Sequence, residues 1–495
     1  MPKKKRTSGK KKVKKTKTIA KVPAKTKKQK SLELLFNPSS VAVIGASRDP
    51  KSVGYGILKS LVRGCVLGSE YCRPFAGKVY PVNPNADYVI GIKSYKTVNE
   101  IPDNIDLAVI AVPAKIVPSV LKDCGKKKIP FAIVISAGFA EIGDSGKKLQ
   151  DEILKIADKS RIRLVGPNCL GIVRPHVNLN ASFAPTMPPE GPVGFVSQSG
   201  ALADSIIDWA VEEKYGLSAL ISYGNSADLD VHDFIEFLAE DEKTKAIAVY
   251  LEGLKDGRKF IEVCKRVSKI KPVIVLKAGR TKAGTKAISS HTGSLAGSYE
   301  VYKAAFKQSG VIQAETVEEL FDLAKALAYQ PPCRENSVAI ITNGGGCGVL
   351  CADNCDELGV NLAELKKSTI QKLDKSGKMH PAYSKRNPLD IVGDALPERY
   401  EAAVNTLLGE DYIHGAIIIQ TLQTMTDPKE DAMKIVAAKK MFPEKPILCI
   451  YMGGRYSKQG GRLLEANGIP DFNDLRKAAR AMQALVERGE LLKRK

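Results

Sequence analysis

Short apolar runs that each end in small residues recur along the first third of the chain, and they constrain its fold most strongly. Helical patterns separate them, roughly at 54–63, up to Lys126 and at 147–159. Buried strands that alternate with helices are typical of a doubly wound parallel sheet, whose two faces are covered by helices. The five predicted strands are Ser40–Ser47, Lys78–Pro84, Leu107–Pro113, Phe131–Ser136 and Arg163–Gly166.

The same alternation continues through two further α/β segments, one beginning near Pro192 and one following Pro331-Pro332. Their predicted strands are Val193–Gly200, Ala246–Leu251, Pro272–Lys277, Val338–Gly346, Ala416–Gln420 and Pro446–Tyr451. We therefore predict an α/β protein with a Rossmann-like domain followed by two flavodoxin-like, doubly wound domains. The predicted boundaries are a disordered Lys-rich tail at 1–30, domains at 31–180, 181–330 and 331–475, and a C-terminal helical tail at 476–495.

The excess positive charge is concentrated at the N-terminus. The formal net charge is +22, but residues 1–30 hold 14 Lys and 1 Arg without an acidic residue, which leaves +7 for the rest of the chain. A run of like charges repels itself and buries nothing, so it is expected to be disordered. Met1–Arg6 also looks like a nuclear-import signal, and the tail could contact nucleic acid non-specifically. The alternative is a solvated tail without a dedicated partner.

The spacing of the cysteines and the lengths of the apolar stretches indicate in which cellular compartment the protein lies. No two of the ten cysteines have CxxC spacing, and Cys347, Cys351 and Cys355 recur at i, i+4, i+8, which predicts a buried stripe on one helix face rather than a metal site. No apolar stretch approaches the roughly 20 residues that span a bilayer, and no apolar core follows the basic start as it does in a secretory signal. We therefore predict a cytoplasmic protein with reduced cysteines, no metal site and no membrane contact.

Small or turn-forming residues follow the predicted strands of the first domain. Gly45-Ala46-Ser47, Val112-Pro113 and Asn168 occupy such positions. At the carboxyl ends of parallel strands they favour an open ligand crevice. The first turn lacks GxGxxG, and the second strand ends in Asn83-Pro84 rather than in the acidic residue that holds the ribose of NAD. The pattern predicts a nucleotide-type fold whose ligand is not NAD.

Two features of the second domain point to phosphate chemistry. Ser199-Gly200 joins a strand to a helix, where free amides and the positive end of the helix dipole converge on one spot; an ordinary tight turn is the alternative. Glu252 ends a neighbouring strand, where a carboxylate can hold an imidazole N–H and fix its tautomer. In the third domain Gly344–Gly346 follows a predicted strand, and such a glycine-rich turn can also cradle a phosphate.

His291 is the histidine with the most informative surroundings. It lies in Ser289–Ser298, a run of small, hydroxyl-bearing and glycine residues that predicts a mobile loop. Glycines let backbone amides approach an anion, hydroxyls donate to its oxygens, and an imidazole can carry a phosphoryl group as a nucleophile. The alternative is a flexible surface loop that happens to hold a histidine. The other histidines are His176, His232, His380 and His414.

Six short motifs occur in an order and spacing that resemble the α subunits of ADP-forming acyl-CoA synthetases, most closely the ADP-forming acetate–CoA ligases. The chain is also similar, more distantly, to the α subunit of succinyl-CoA synthetase. The resemblance covers about residues 32–475, essentially everything except the Lys-rich tail and the short C-terminal helical tail. The motifs are Val43-Ile44-Gly45-Ala46-Ser47, Val112-Pro113-Ala114, Gly166-Pro167-Asn168-Cys169-Leu170-Gly171, Ser197-Gln198-Ser199-Gly200-Ala201, Tyr250-Leu251-Glu252-Gly253 and Ser290-His291-Thr292-Gly293-Ser294.

The resemblance implies the reaction acyl-CoA + ADP + phosphate ⇌ carboxylic acid + CoA + ATP, through an acyl phosphate and a phosphohistidine. His291 would carry the phosphoryl group, Glu252 would orient it, and Gly293 and Gly297 would give the loop its hinge freedom. The implied phosphate-binding residues are Ser199, Gly200, Thr292 and Gly293. The first domain would bind coenzyme A, and the implied contacts are Gly45, Ala46, Ser47, Val112, Pro113 and Asn168.

The resemblance also implies a second polypeptide. We find neither an ATP-grasp segment nor a Walker A motif, so ADP/ATP with Mg²⁺ is expected to be bound mainly by a separate ATP-grasp β subunit. The expected assembly is a heterotetramer of two α and two β chains, and the α chain alone should not make ATP. Acetate, branched-chain and aryl acids stay open as substrates, as does the direction of the reaction in the cell.

Two other functions are alternatives for a sequence of this kind. One is a CoA-binding regulatory module without ligase activity, and the pairing of His291 with Glu252 favours the ligase over it. The other is a nucleic-acid-binding protein that acts through its tail, which the nearly balanced charge after residue 30 disfavours.

Overall fold

The computed structural model describes residues 32–292 and 298–494, with the side chains of all of these except 288–292. The tail at 1–30 and the glycines Gly293 and Gly297 lie outside the described residues. Within the described chain, three mainly parallel sheets follow one another along the sequence. The predicted α/β class is therefore confirmed.

The first domain is built on a five-stranded parallel sheet. Its elements are α1 Glu33–Phe36, β1 Ser40–Ile44, α2 Val53–Arg63, β2 Lys78–Val82, β3 Tyr88–Val89, β4 Ile92–Lys93, β5 Leu107–Ile110, α3 Val117–Lys126, β6 Phe131–Val134, α4 Asp144–Ser160 and β7 Arg163–Val165. The sheet order is β2-β1-β5-β6-β7, and β3 pairs with β4 in a separate hairpin. All five predicted strands are present, and their carboxyl ends lie along one edge because the sheet is parallel.

The second domain has a seven-stranded sheet in the order β14-β13-β12-β10-β11-β8-β9. Its elements are β8 Gly171–Arg174, β9 Leu179–Ser182, β10 Glu190–Ser197, α5 Gly200–Glu212, β11 Leu217–Ser222, α6 Val231–Glu240, β12 Ala246–Leu251, α7 Gly257–Val267, β13 Val273–Lys277, α8 Lys282–Thr292, α9 Tyr299–Ser309, β14 Ile312–Ala314 and α10 Val317–Tyr329. Strand β8 pairs antiparallel with both β11 and β9. This sheet thus begins ahead of residue 180, where the sequence predicts the domain boundary.

The third domain has the parallel sheet β16-β15-β17-β18. Its elements are β15 Val338–Thr342, α11 Gly345–Glu357, α12 Lys367–Lys375, β16 Leu389–Asp390, α13 Pro397–Leu408, β17 Gly415–Thr421, α14 Pro428–Met441, β18 Ile447–Met452, α15 Lys458–Ala466 and α16 Leu475–Lys493. Helix α16 occupies the range predicted as a C-terminal helical tail. It packs against α10 and α11, and Arg480 Nε lies 2.8 Å from a carboxylate oxygen of Glu319 in α10.

Adjacent domains share their hydrophobic cores. Alternate residues of β1 point to opposite faces of the sheet, as the period of a strand requires. Val41 and Val43 lie in a buried cluster that also contains Val196 and Val249 of the second domain. Another cluster joins residues of the second sheet, the third sheet and α16, among them Phe195, Ile340 and Leu485. The domains are therefore packed on one another through apolar contacts rather than strung on exposed linkers.

The cysteines differ in one respect from the prediction. Cys65 and Cys72 are joined by a disulfide with Cα atoms 5.6 Å apart, so the expectation of uniformly reduced cysteines is wrong for this pair. The turn between α2 and β2 folds back on itself, which brings the two Cα atoms within the range a disulfide spans. In α11, Cys351 and Cys355 are buried and Cys347 is partly buried, as the spacing predicted.

Candidate active site

A cleft of about 660 Å³ opens between the first and second domains, at the carboxyl ends of their parallel strands. Such a position is where ligands bind in open α/β sheets. Residues from both domains line it, among them Val112, Ser136, Asn168, Ser199, Gly200 and Glu252. The cleft thus brings together two of the predicted CoA contacts, two of the predicted phosphate contacts and the predicted orienting carboxylate.

The turn after β1 requires glycine at its first position. Gly45 has a φ of +92°, and a Cβ there would lie 2.3 Å from the carbonyl oxygen of Ala111. The Asn83 side chain donates a hydrogen bond of 2.6 Å to the Ala46 carbonyl, and the Ser47 hydroxyl accepts one of 3.0 Å from the Asp49 amide. Gly45, Ala46, Ser47 and Pro113 are not among the residues that line the cleft, although Val53 of the following helix is.

Asn168 stands where the two domains meet. Its φ of 57° is left-handed, a conformation that asparagine tolerates better than most residues. Its amide donates to the Ser136 carbonyl at 3.0 Å, and its side chain donates to Asn225 Oδ1 at 3.3 Å. Gly224 approaches so closely that a Cβ there would lie 2.1 Å from the Asn168 carbonyl. The peptide that carries Asn168 is therefore fixed against both walls of the cleft.

A partly buried polar network continues from Asn225. Its side-chain amide donates to Glu141 at 2.6 Å and to Gln150 at 3.1 Å, and both acceptors belong to the first domain. Burial acts to raise the pKa of Glu141, but hydrogen bonds from the Asn225 side chain and from the backbone amides of Gly138, Phe139 and Glu141 outweigh it and lower that pKa. Glu141 is therefore held as a carboxylate, and it fixes the orientation of an amide that lines the cleft.

The N-terminus of α5 faces the cleft with Ser199 as its capping residue. The Ser199 hydroxyl accepts from the Leu202 amide at 3.3 Å, and the Ser199 amide donates to the Ser197 hydroxyl at 3.1 Å. The first amides of a helix lack intrahelical acceptors, and the helix dipole adds positive potential there. Ser199, Gly200 and Ala201 all line the cleft, so an anion can be held at this end of the helix.

Glu252 follows β12 directly and is 6 % exposed. Gln198 Oε1 accepts from the amides of Glu252 and Gly253, the latter at 2.9 Å, so the turn is tied to the segment that precedes α5. Burial raises the pKa of Tyr250 to about 12, and the charge of Glu252 and a hydrogen bond to it act in the same direction. The carboxylate is thus oriented from within its own strand, beside the helix end at Ser199.

A buried lysine contacts Glu252 and lies just before the N-terminal end of the segment that carries His291. Lys277, the last residue of β13, is 2 % exposed, and its ammonium donates to the Glu252 carbonyl at 2.8 Å. The Ala278 amide donates to the Leu251 carbonyl at 2.9 Å. The ammonium also lies 4.5 Å from the ring centroid of Tyr302 in α9, the helix that follows the histidine segment. Both ends of that segment are therefore anchored beside Glu252.

The histidine segment itself is more helical than the sequence predicted. A mobile loop is expected over Ser289–Ser298, but α8 continues to Thr292. No glycine or proline lies between Thr285 and Thr292, so nothing interrupts the helix before Gly293. The side chains of His291 and Thr292, and the whole of Gly293, lie outside the described residues, and their predicted roles stay predictions.

Sequence reasoning did not single out several polar residues of this region. Gln198, Asn225, Lys255 and Lys277 contribute to it, and three of them line the cleft. Gln198 is part of the motif around Ser199, and Lys255 comes three residues after Glu252, so proximity to a chosen residue was a usable signal for both. Asn225 offered none, because its partners are more than 50 residues away in the sequence.

Comparison with known proteins identifies the family. Three family models match in succession: a CoA-binding domain at 39–175, a succinyl-CoA ligase-like flavodoxin domain at 190–327 and a ligase-CoA domain at 338–473. The α subunit of acetate–CoA ligase (ADP-forming) II from Pyrococcus furiosus is 45 % identical over 463 residues, which cover 93 % of this chain and 98 % of that subunit. The chain belongs to the family of ADP-forming acetate–CoA ligases. The predicted family and the predicted order of domain types are confirmed.

Two further relatives differ in how much of their own length this chain covers. In the acetate–CoA ligase (ADP-forming) of Methanocaldococcus jannaschii the match is 44 % identical over 459 residues but covers only 63 % of that protein. The solved structure of an acetyl-coenzyme A synthetase from Candidatus Korarchaeum cryptofilum, in complex with phosphate and ADP, superposes with a TM-score of 0.86 at 39 % identity, covering 93 % of this chain and 97 % of that one.

Among the described helices of the present chain, none is both long and apolar enough to cross a membrane.

Proposed function

We propose that this chain is the phosphohistidine-bearing α subunit of an ADP-forming acyl-CoA synthetase, with the reaction acyl-CoA + ADP + phosphate ⇌ carboxylic acid + CoA + ATP. The observation that supports the proposal is the cleft itself. It unites the crevice of the CoA-binding domain, the N-terminus of α5 and the buried carboxylate of Glu252, and β13 leads from beside Glu252 into the His291 segment. Acetate is the acyl group suggested by the names of the relatives.

The first step is phosphorolysis of the thioester. A phosphate oxygen forms a bond to the carbonyl carbon of acyl-CoA, the C–S bond breaks, and CoA leaves as a thiolate that takes up a proton. The product is an acyl phosphate. Ser199, Gly200 and the first turn of α5 supply the hydrogen-bond donors and the positive helix end for the phosphoryl group. Val112 and Asn168 lie on the wall where the CoA moiety is expected.

The second step moves the phosphoryl group to the protein. A ring nitrogen of His291 bonds to phosphorus, the P–O bond to the acyl group breaks, and the carboxylate is released. Glu252 accepts the other ring N–H, which sets the tautomer and stabilises the positive charge that the imidazole gains. Thr292 and Gly293 are proposed to contact the phosphoryl group, and Gly293 and Gly297 to let the segment move.

The third step needs a nucleotide. An oxygen of the ADP β-phosphate bonds to the phosphorus, the N–P bond breaks, and ATP forms. We propose that ADP and Mg²⁺ are held by an ATP-grasp β chain in an α2β2 complex, which is supported by the naming of relatives as α subunits. The pools of CoA and nucleotide that the reaction needs are cytoplasmic, and we place the protein there.

Replacement of the two central side chains tests the mechanism. In the complex with the β chain, His291→Asn is expected to abolish incorporation of radiolabelled phosphate from acyl-CoA and phosphate, because the nucleophile is lost, while CoA binding by calorimetry is retained. Glu252→Gln is expected to slow labelling by about 100-fold or more, as for loss of a charge-stabilising group. His176→Asn, outside the cleft, serves as the matched control. Full ATP synthesis by His291→Asn would refute the phosphohistidine role.

A further inference from the structure

The cleft contains one cation whose role the proposed mechanism leaves open. Among the described residues that line it, Glu252 and Lys255 are the charged ones. Inorganic phosphate, the acyl phosphate and the released carboxylate are all anions, and each would meet the buried carboxylate of Glu252. Like charges in a partly desolvated cleft repel strongly. The N-terminus of α5 offsets part of this repulsion, but a helix end carries only about half an elementary charge.

Lys255 is held in a defined position relative to that helix end. It lies at the end of a short turn that is fixed at three successive amides: those of Glu252 and Gly253 donate to Gln198 Oε1, and that of Leu254 donates to the Tyr302 hydroxyl at 3.2 Å. Gln198 directly precedes Ser199, the cap of α5. The backbone of Lys255 and the helix end are therefore set by the same anchoring contacts.

The ammonium of Lys255 has more N–H donors than its hydrogen bond to the protein uses. It donates to the carbonyl of Ser226, and an ammonium carries three N–H donors. Lys255 as a whole residue is exposed, but partial desolvation of its ammonium lowers its pKa, and the nearby carboxylate of Asp230 acts in the opposite direction. Asp230 is already occupied as the cap of α6, where its carboxylate accepts from the Val231 amide at 2.7 Å. The remaining donors of Lys255 can therefore serve a ligand in the cleft.

We propose that Lys255 is a catalytic residue of the thioester-cleaving step, where its ammonium binds an oxygen of phosphate and then of the acyl phosphate. The assignment rests on the proposed function. The ammonium compensates the charge of Glu252 while phosphate attacks the carbonyl carbon. It takes up no proton in the step, so Lys255 is an electrostatic partner of the anion rather than an acid or a base. The preferred substrate of this subsite is a tetrahedral oxyanion.

The test separates this step from the phosphohistidine. Arsenate can replace phosphate in the attack on acyl-CoA, and the acyl arsenate hydrolyses in water, so CoA release needs neither ADP nor His291. In the complex with the β chain, we expect Lys255→Met to raise the KM for arsenate and for phosphate by about 10- to 100-fold, as for loss of a hydrogen bond to a charged group. The KM for acyl-CoA should not change, and Lys255→Arg should restore part of the loss.

A second lysine of the same domain provides the matched control. Lys271 also donates to backbone carbonyls, those of Leu238 at 2.9 Å and Asp241, but does not line the cleft. Lys271→Met is expected to leave the KM for arsenate unchanged. An arsenate KM in Lys255→Met within twofold of the parent would overturn the proposal, and so would an equal rise in both KM values. Failure of the phosphohistidine mechanism would instead appear as ATP synthesis by His291→Asn, with arsenolysis unaffected.

Discussion

At the scale of single residues, Asp431 shows how a buried acid couples stability to pH. It lies in α14 with no exposed surface; Gln420 donates to one of its carboxylate oxygens at 3.4 Å, and the other oxygen has no partner among the described residues. Burial raises its pKa to about 7, the hydrogen bond from Gln420 opposes this, and neighbouring acids add to it. Above that pH the folded protein holds a poorly compensated charge in its third domain.

We expect Asp431→Asn to stabilise the protein at pH 8 and to make little difference near pH 4. The folded pKa lies above the unfolded value, so between about pH 4 and pH 7 the unfolded state ionises first and the parent protein loses stability as pH rises, by at most about 1.4 kcal/mol per pH unit. The asparagine variant lacks this loss. Thermal melts across that range should diverge up to about pH 7 and then run parallel; curves that are parallel throughout would contradict the assignment.

The residues that line the cleft or support its lining divide into those the sequence predicts and those it does not. Ser199, Gly200 and Glu252 are found from local patterns, because a strand end or a helix start is readable over a few residues. Glu141 and Asn225 are hydrogen-bonded although they are 84 positions apart in the sequence, and Lys277 and Glu252 are hydrogen-bonded although they are 25 positions apart. No local pattern encodes such pairs, since they exist only once two domains or two neighbouring strands have packed.

At the scale of elements, helix α5 joins a structural role to a proposed chemical one. Ser199→Ala removes the cap and is expected to cost about 1 kcal/mol of unfolding free energy. If the same hydroxyl and helix end hold phosphate, the KM for phosphate should also rise by about tenfold. Chemical denaturation and steady-state kinetics of the reconstituted complex measure the two effects.

Helix α10 supplies the control for this prediction. Its cap, Thr316, accepts from the Glu319 amide at 3.0 Å and lies outside the cleft. Thr316→Ala should lose comparable stability with an unchanged KM for phosphate. If both variants shift the KM alike, the effect of Ser199 is one of stability and the proposed contact is wrong.

The elements themselves were predictable where strands are apolar on both faces. The three inner strands of the first sheet, β1, β5 and β6, fall in apolar runs, since a central parallel strand is buried on both sides. Strands β8, β9 and β11 were not predicted. The first two pair antiparallel and contain polar residues such as Arg174, Asn180 and Ser182, which are buried and hydrogen-bonded rather than apolar. Their burial depends on partners that a strand pattern does not reveal.

At the scale of the whole molecule, shared cores hold the walls of the cleft in place. The first and second domains bury apolar residues in one cluster, and the loop closed by Cys65 and Cys72 adds a polar link, because the amides of Val66 and Leu67 donate to the Pro185 carbonyl at 3.0 and 2.7 Å. A cleft between domains fixed in this way is pre-organised for its ligand. The proposed mechanism accordingly requires no movement of the first domain against the second.

The positive charge of the N-terminal tail is expected to affect DNA binding but not the reactions in the cleft. Removal of residues 1–30 takes away 15 positive charges and leaves a chain of +7, so non-specific binding to a DNA duplex should weaken and its steep dependence on salt should flatten. Replacement of the tail lysines by glutamine keeps the length of the tail and should weaken DNA binding in the same way. This variant distinguishes the effect of the positive charge from the effect of the polypeptide segment itself. Arsenolysis and phosphoenzyme formation should persist in both variants, because no described residue of the cleft precedes Val53. Undiminished DNA binding by the deletion variant would place the polyanion site on the folded domains instead.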